Sequence, residues 1–137
     1  MPARYMARIA DGMLTEALAT GGAVQVKGPK WCGKTATSLQ QAASVVYLQD
    51  PDRSASYLAL ADAKPSALLE GRVPRLIDEW QMAPQLWDAV RFAVDLRGEP
   101  GQFILTGSST PTVGGAHSGV GRIAPMVMRT MTLFESE

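Results

Sequence analysis

The stretch that most constrains this chain is Gly28-Pro29-Lys30-Trp31-Cys32-Gly33-Lys34-Thr35, preceded by Ala23-Val24-Gln25-Val26 and followed by a run free of helix breakers. A G-x-x-x-x-G-K-T segment works only with a strand before it and a helix after it. Glycine permits the tight turn, and the turn aims successive backbone N–H groups and the helix N-terminus at one anion. Here the context is present, so the segment reads as a phosphate-binding loop rather than a glycine turn with a surface lysine. The expected nucleotide contacts are Gly28, Pro29, Lys30, Trp31, Cys32, Gly33, Lys34, Thr35 and Ala36. Lys34 is expected to reach the β- and γ-phosphates, and the Thr35 hydroxyl to ligate Mg²⁺. Within the loop, Trp31 reads first as a half-buried packing residue, with contact to nucleotide or a neighbouring subunit as the alternative. Cys32 reads as a small space-filler more readily than as a redox thiolate.

The rest of the chain repeats the strand–helix alternation. Met6, Ile9, Ala10, Met13, Leu14, Ala17 and Leu18 follow the i, i+3, i+4 spacing of one helix face, and Gly21-Gly22 ends that helix. A helix over 34–43 leads to a strand over 44–48, stopped by Asp50-Pro51. A helical region over 54–69 is interrupted by Pro65, and a third strand covers 75–78. Pro84 suits the first turn of the next helix, Leu86, Ala89, Val90, Ala93 and Val94 form its apolar face, and Gly98 ends it. Asp88 and Arg91 make a weak surface pair on that helix. A fourth strand covers 102–106, residues 107–121 read as a mobile loop rich in Gly, Ser and Thr, and 124–133 holds a fifth strand. Strands separated by helices predict an α/β fold, a mainly parallel five-stranded sheet flanked by helices on both faces.

In an open parallel sheet, ligands sit beyond the carboxyl ends of the strands. Leu76-Ile77-Asp78-Glu79 places two carboxylates at such an end. Asp78 is expected to hold Mg²⁺ directly or through water, and Glu79 to orient and polarise an attacking water. Phe103-Ile104-Leu105-Thr106-Gly107-Ser108 ends another apolar strand in hydroxyls. Thr106, with Ser108 as alternate, is the expected group that senses the γ-phosphate or the water. Arg122, before the last strand, is placed either as an arginine finger toward an adjacent subunit or as a plain surface arginine. His117, in the Gly/Ser segment without a Cys/His cluster, reads as a mobile surface residue and not as a ligand or base.

Composition excludes several classes. Lys+Arg and Asp+Glu are both 13, which leaves the chain as a whole without the electrostatic footprint of a nucleic-acid or anionic-membrane binder. A local basic patch stays open. A single cysteine forms no internal disulfide. The N-terminus lacks an apolar run of signal-peptide length, and no run reaches the roughly 18 residues of a membrane span. The default location is the cytoplasm.

The phosphate loop with its Trp-Cys pair, Arg75-Leu76-Ile77-Asp78-Glu79-Trp80-Gln81 with Ala83-Pro84 and Leu86-Trp87-Asp88, Gln102 to Ser108, and His117-Ser118-Gly119 with Gly121-Arg122-Ile123 resemble the prokaryotic AAA+ ATPases that carry a C-terminal domain of unknown function. Tyr5, Arg8 and Asp11 resemble that family's first helix. The resemblance covers nearly the whole chain. It implies an AAA+ core over 1–137, ATP and Mg²⁺, and hydrolysis coupled to a conformational task. It assigns Lys34 and Thr35 to nucleotide and metal, Asp78 and Glu79 to metal and water, and 106–108 to sensing. More loosely, it sets Arg8 and Ile9 near the adenine. Relatives continue into a lid and a larger C-terminal domain. The expectation is therefore a truncated core with weak affinity and slow turnover, a homo-oligomer as one mode of assembly, and a partner surface supplied by the absent domain.

Three activities share these features. The first is Mg²⁺-dependent ATP hydrolysis. The second is a nucleotide-gated interaction module in which 107–120 reorders. The third, a small-molecule kinase, is disfavoured by the Asp-Glu pair, which suits water as acceptor, and by the lack of an Arg-rich lid.

Overall fold

Apolar strand segments alternating with helices produce an α/β domain in the computed structural model, which describes residues 2–28, 34–108 and 123–127, with side chains for 11–28, 34–107 and 123–126. The elements are α1 (Pro2–Thr20), β1 (Ala23–Gly28), α2 (Lys34–Gln41), β2 (Ser44–Tyr47), α3 (Ser54–Ala63), β3 (Arg75–Asp78), α4 (Gln85–Arg97), β4 (Phe103–Ser108) and β5 (Ile123–Val127). Short 3₁₀ turns, Pro65–Leu69 and Trp80–Met82, follow α3 and β3. All pairings are parallel, and the strand order is β2-β3-β4-β1-β5. No helix among the described residues is long and apolar enough to cross a membrane.

Strand parity divides the core. Side chains alternate across a strand, so Val24, Val26, Leu76, Ile104 and Met126 share one face and pack under Leu14 and Leu18 of α1. Ala23, Val46, Ile77, Phe103, Leu105 and Ile123 share the other, covered by Leu86, Val90 and Val94 of α4 and by Leu68 and Leu69. Both faces are buried, which is why the strands read as continuous apolar runs rather than as alternating ones. Each fully buried Leu, Ile or Phe contributes about 1.5–3 kcal/mol over exposure.

Several boundaries differ from the expectations. Helix α1 starts at Pro2 rather than near Met6, a position that tolerates proline because it lacks the N–H that a first turn leaves unused. Pro65 ends α3 and opens the 3₁₀ turn that buries Leu68 and Leu69. Gly107 and Ser108, expected in a loop, extend β4, because their backbone pairs in register with Lys27 and Gly28. β5 begins at Ile123, and positions 109–122 and 128–133 of the expected loop and strand lie outside the described residues.

At the amino ends of the strands, Arg75 ties the sheet to its connections. Its Nε donates to Leu68 O at 2.6 Å and its Nη1 to Ser44 Oγ at 3.0 Å. Burial lowers its pKa, and it accepts that cost for two strong contacts far from the candidate site. Gly22, beyond ending α1, admits Val94: a β-carbon there would sit 2.2 Å from Val94 Cγ1.

Candidate functional site

Because every strand runs the same way, the carboxyl ends of β1, β3 and β4 lie on one edge. Gly28 is in register with Ser108, and Asp78 with Thr106. Parity does the rest. Asp78 and Thr106 fall on the same sides of their strands as Leu76 and Ile104, the face on which α2 lies. Helix α2 starts at Lys34, so its first turn arrives beside both side chains.

The contact is direct. Asp78 Oδ1 accepts from Thr35 Oγ1 at 2.8 Å and from Thr106 Oγ1 at 2.7 Å. Asp78 is 2% exposed and Thr106 fully buried, so the carboxylate depends on these hydroxyls for part of its solvation. Lys34 is also buried, at 6% exposure. A carboxylate and two hydroxyls form an all-oxygen donor set, the hard chemistry that Mg²⁺ takes, leaving its other positions to water and phosphate. The residues present therefore fit that ion.

Glu79 closes β3 in the left-handed region, φ 61° and ψ 50°. Such a conformation costs a non-glycine residue about 1–3 kcal/mol and clusters at functional sites. Its N–H points to Thr106 Oγ1 at a long 3.4 Å, and its Oε1 accepts from Gln81 Nε2 at 2.5 Å. The chain then turns through Trp80, which is buried and stacks at a tilt on Trp87, ring centroids 4.9 Å apart.

Five expected residues thus meet: Lys34 and Thr35 open α2 beside Asp78, and Thr106 bridges Asp78 to the Glu79 backbone. Gly28 ends β1 at the same edge, and Ala36 is exposed on α2. Ser108 closes β4, but its side chain lies outside the described set. Pro29, Lys30, Trp31, Cys32, Gly33, His117 and Arg122 lie outside the described residues altogether, as do the side chains of Arg8 and Ile9. Sequence reasoning assigned Thr106 to phosphate or water and did not foresee its bond to Asp78. It also passed over Gln81, although the Asp-Glu-Trp-Gln run held both partners of that contact.

No curated protein matches the chain. A family model described as AAA domain matches residues 20–137, from the end of α1 through the last strand. A parallel five-stranded sheet flanked by helices is consistent with that match, which suggests nucleotide binding. The chain belongs to the AAA domain family.

Proposed function

We propose that this chain binds ATP with Mg²⁺ and hydrolyses it, with the nucleotide state coupled to a conformational change. The observation that carries the reading is the shared Asp78 oxygen, which joins the start of α2 to the ends of β3 and β4. In this reading the loop amides of 28–33 and the α2 N-terminus cradle the phosphates, and Lys34 contacts the β- and γ-oxygens. Thr35 and Asp78 hold Mg²⁺, which neutralises charge on the phosphate oxygens when bound. Glu79 orients a water and accepts its proton as the water oxygen bonds to the γ-phosphorus and the bond to ADP breaks. Thr106, with Ser108 as the alternate, senses the γ-phosphate or the water, and Arg122 serves as a finger toward an adjacent subunit.

The test is phosphate release from ATP. Wild type should release phosphate only with Mg²⁺, and Glu79→Gln should lower kcat by about 100-fold or more while ATP still binds, as expected for loss of a general base. Equal rates for the two proteins would reject hydrolysis by this chain.

One observation favours a second reading, a nucleotide-gated module with little turnover. Asp78 and Glu79 are each already engaged, by Thr35 and Thr106 and by Gln81. In that reading, ligand arrival exchanges the hydroxyl bonds to Asp78 for bonds to the ligand, and such an exchange is itself a switch. Tight ATP binding without turnover would select this reading.

A further inference from the structure

Glu79 sits on a turn at the edge of the sheet, where a flexible carboxylate would sample many rotamers. Its usefulness in the hydrolytic reading depends on what holds it. Among the described residues its side chain is held by Gln81, with Nε2 2.5 Å from Oε1. The backbone explains the reach. The left-handed Glu79 reverses the chain into the 3₁₀ turn Trp80–Met82, closed by Met82 N–H to Glu79 O at 3.0 Å, so residue 81 folds back over residue 79.

The other end of the Gln81 amide is the informative one. Its Oε1 is buried and has no hydrogen-bond partner among the described residues. An unpaired buried carbonyl is a poor choice for stability alone, since an apolar side chain of the same length would avoid that penalty. The amide is housed by the strand that carries Thr106. A β-carbon on Gly107 would lie 2.3 Å from Gln81 Oε1 and 3.2 Å from two atoms of the Trp80 ring. Only a residue without a side chain lets β4 come this close. Glu79 is therefore tied to β4 twice, through its N–H to Thr106 and through Gln81 against Gly107.

We infer that Gln81 is a positioning residue for Glu79: its side-chain amide, seated in the space that Gly107 leaves open, fixes the carboxylate that takes the proton of the attacking water. This inference rests on the hydrolytic reading above. In this inference Gln81 acts through Glu79 and not on phosphate or metal, so its loss should change turnover and leave nucleotide binding alone.

The experiment is steady-state ATP hydrolysis with Mg²⁺, alongside the affinity of a fluorescent ATP analogue. The proteins are wild type, Gln81→Met, Gln81→Glu, Glu79→Asp and the double variant Glu79→Asp/Gln81→Met. Gln81→Met keeps the length and removes the amide. It should lower kcat by about 10–100-fold, the range for a lost partner of a reacting group, with KM and analogue affinity unchanged. Gln81→Glu keeps the shape but sets a second carboxylate beside Glu79, and should lower kcat further. In Glu79→Asp the carboxylate is withdrawn from the amide, so adding Gln81→Met should cost little more, the non-additivity of residues acting as one unit. Should Gln81→Met fail to fold, Gln81→Glu decides by the same comparison of kcat with KM. Glu79-dependent turnover that neither Gln81 variant alters would overturn this inference alone, as would an equal loss from Gln81→Met in both backgrounds. Absence of Glu79-dependent turnover in wild type would overturn the hydrolytic reading and this inference together.

Discussion

One carboxylate oxygen, Asp78 Oδ1, receives two hydroxyl protons, and both donors come from distant parts of the chain. Desolvating a carboxylate is expensive, and each donated bond offsets part of that expense. Thr106 is the fully buried donor of the pair. Replacing it by the isosteric valine should destabilise the fold by about 1–3 kcal/mol, because Asp78 then keeps only one of these partners. A lower urea midpoint at constant slope would establish the loss, and an unchanged midpoint would show that water replaces the hydroxyl. Lys34 and Thr35 could be singled out from sequence because glycine spacing marks them. The donation from Thr106 could not, because it joins positions 28 residues apart whose neighbourhood depends on which strands pair.

Helices here are held by their faces and not by surface charge. The Asp88–Arg91 pair of α4 spans 3.2 Å, but Asp88 is 70% exposed and water screens it. Asp88→Ala should therefore change stability by less than about 0.5 kcal/mol in thermal or chemical unfolding. Gly22 should behave oppositely. Its missing side chain lets α4 approach the start of β1, and its carbonyl accepts from both Gln102 and Phe103 at 2.8 and 3.1 Å. Gly22→Ala would press on Val94 and should cost about 1–3 kcal/mol, as over-packed cores do. Pairing it with Val94→Ala should recover part of that loss, which separates crowding from backbone strain. Gly98, in contrast, ends α4 as composition suggested, at φ 65° with its N–H on Val94 O at 2.9 Å. The helix terminator was legible because the left-handed conformation is a local demand. The close approach at Gly22 was not, since it belongs to two elements at once.

For the molecule as a whole, the site is a joint between parts of the sheet. Helix α2, β3 and β4 meet at Asp78, so a ligand that bridges them should stabilise the entire cooperative unit. Mg²⁺ with ATP at 100 times its dissociation constant should add about 2.7 kcal/mol of unfolding free energy, provided only the folded state binds. Differential scanning calorimetry should show a rise in Tm that depends on both components and disappears in Lys34→Ala. An equal rise in that variant would place the stabilising ligand elsewhere.

What the sequence by itself determined were the locally encoded features: the strand before 28 and the helix from 34, the acidic pair closing a strand, and the break at Pro65. Each follows from covalent periodicity or from the φ preference of a single residue. Alternation of strands and helices also implied a parallel sheet, but not its order. Only the tertiary structure decided that β4 inserts between β3 and β1, that Gly107 belongs to a strand, and that Gln81 turns back onto Glu79. The physical reason is that these depend on which backbones approach closely enough to pair. That choice is made by burial of both sheet faces together and not by any one stretch of residues.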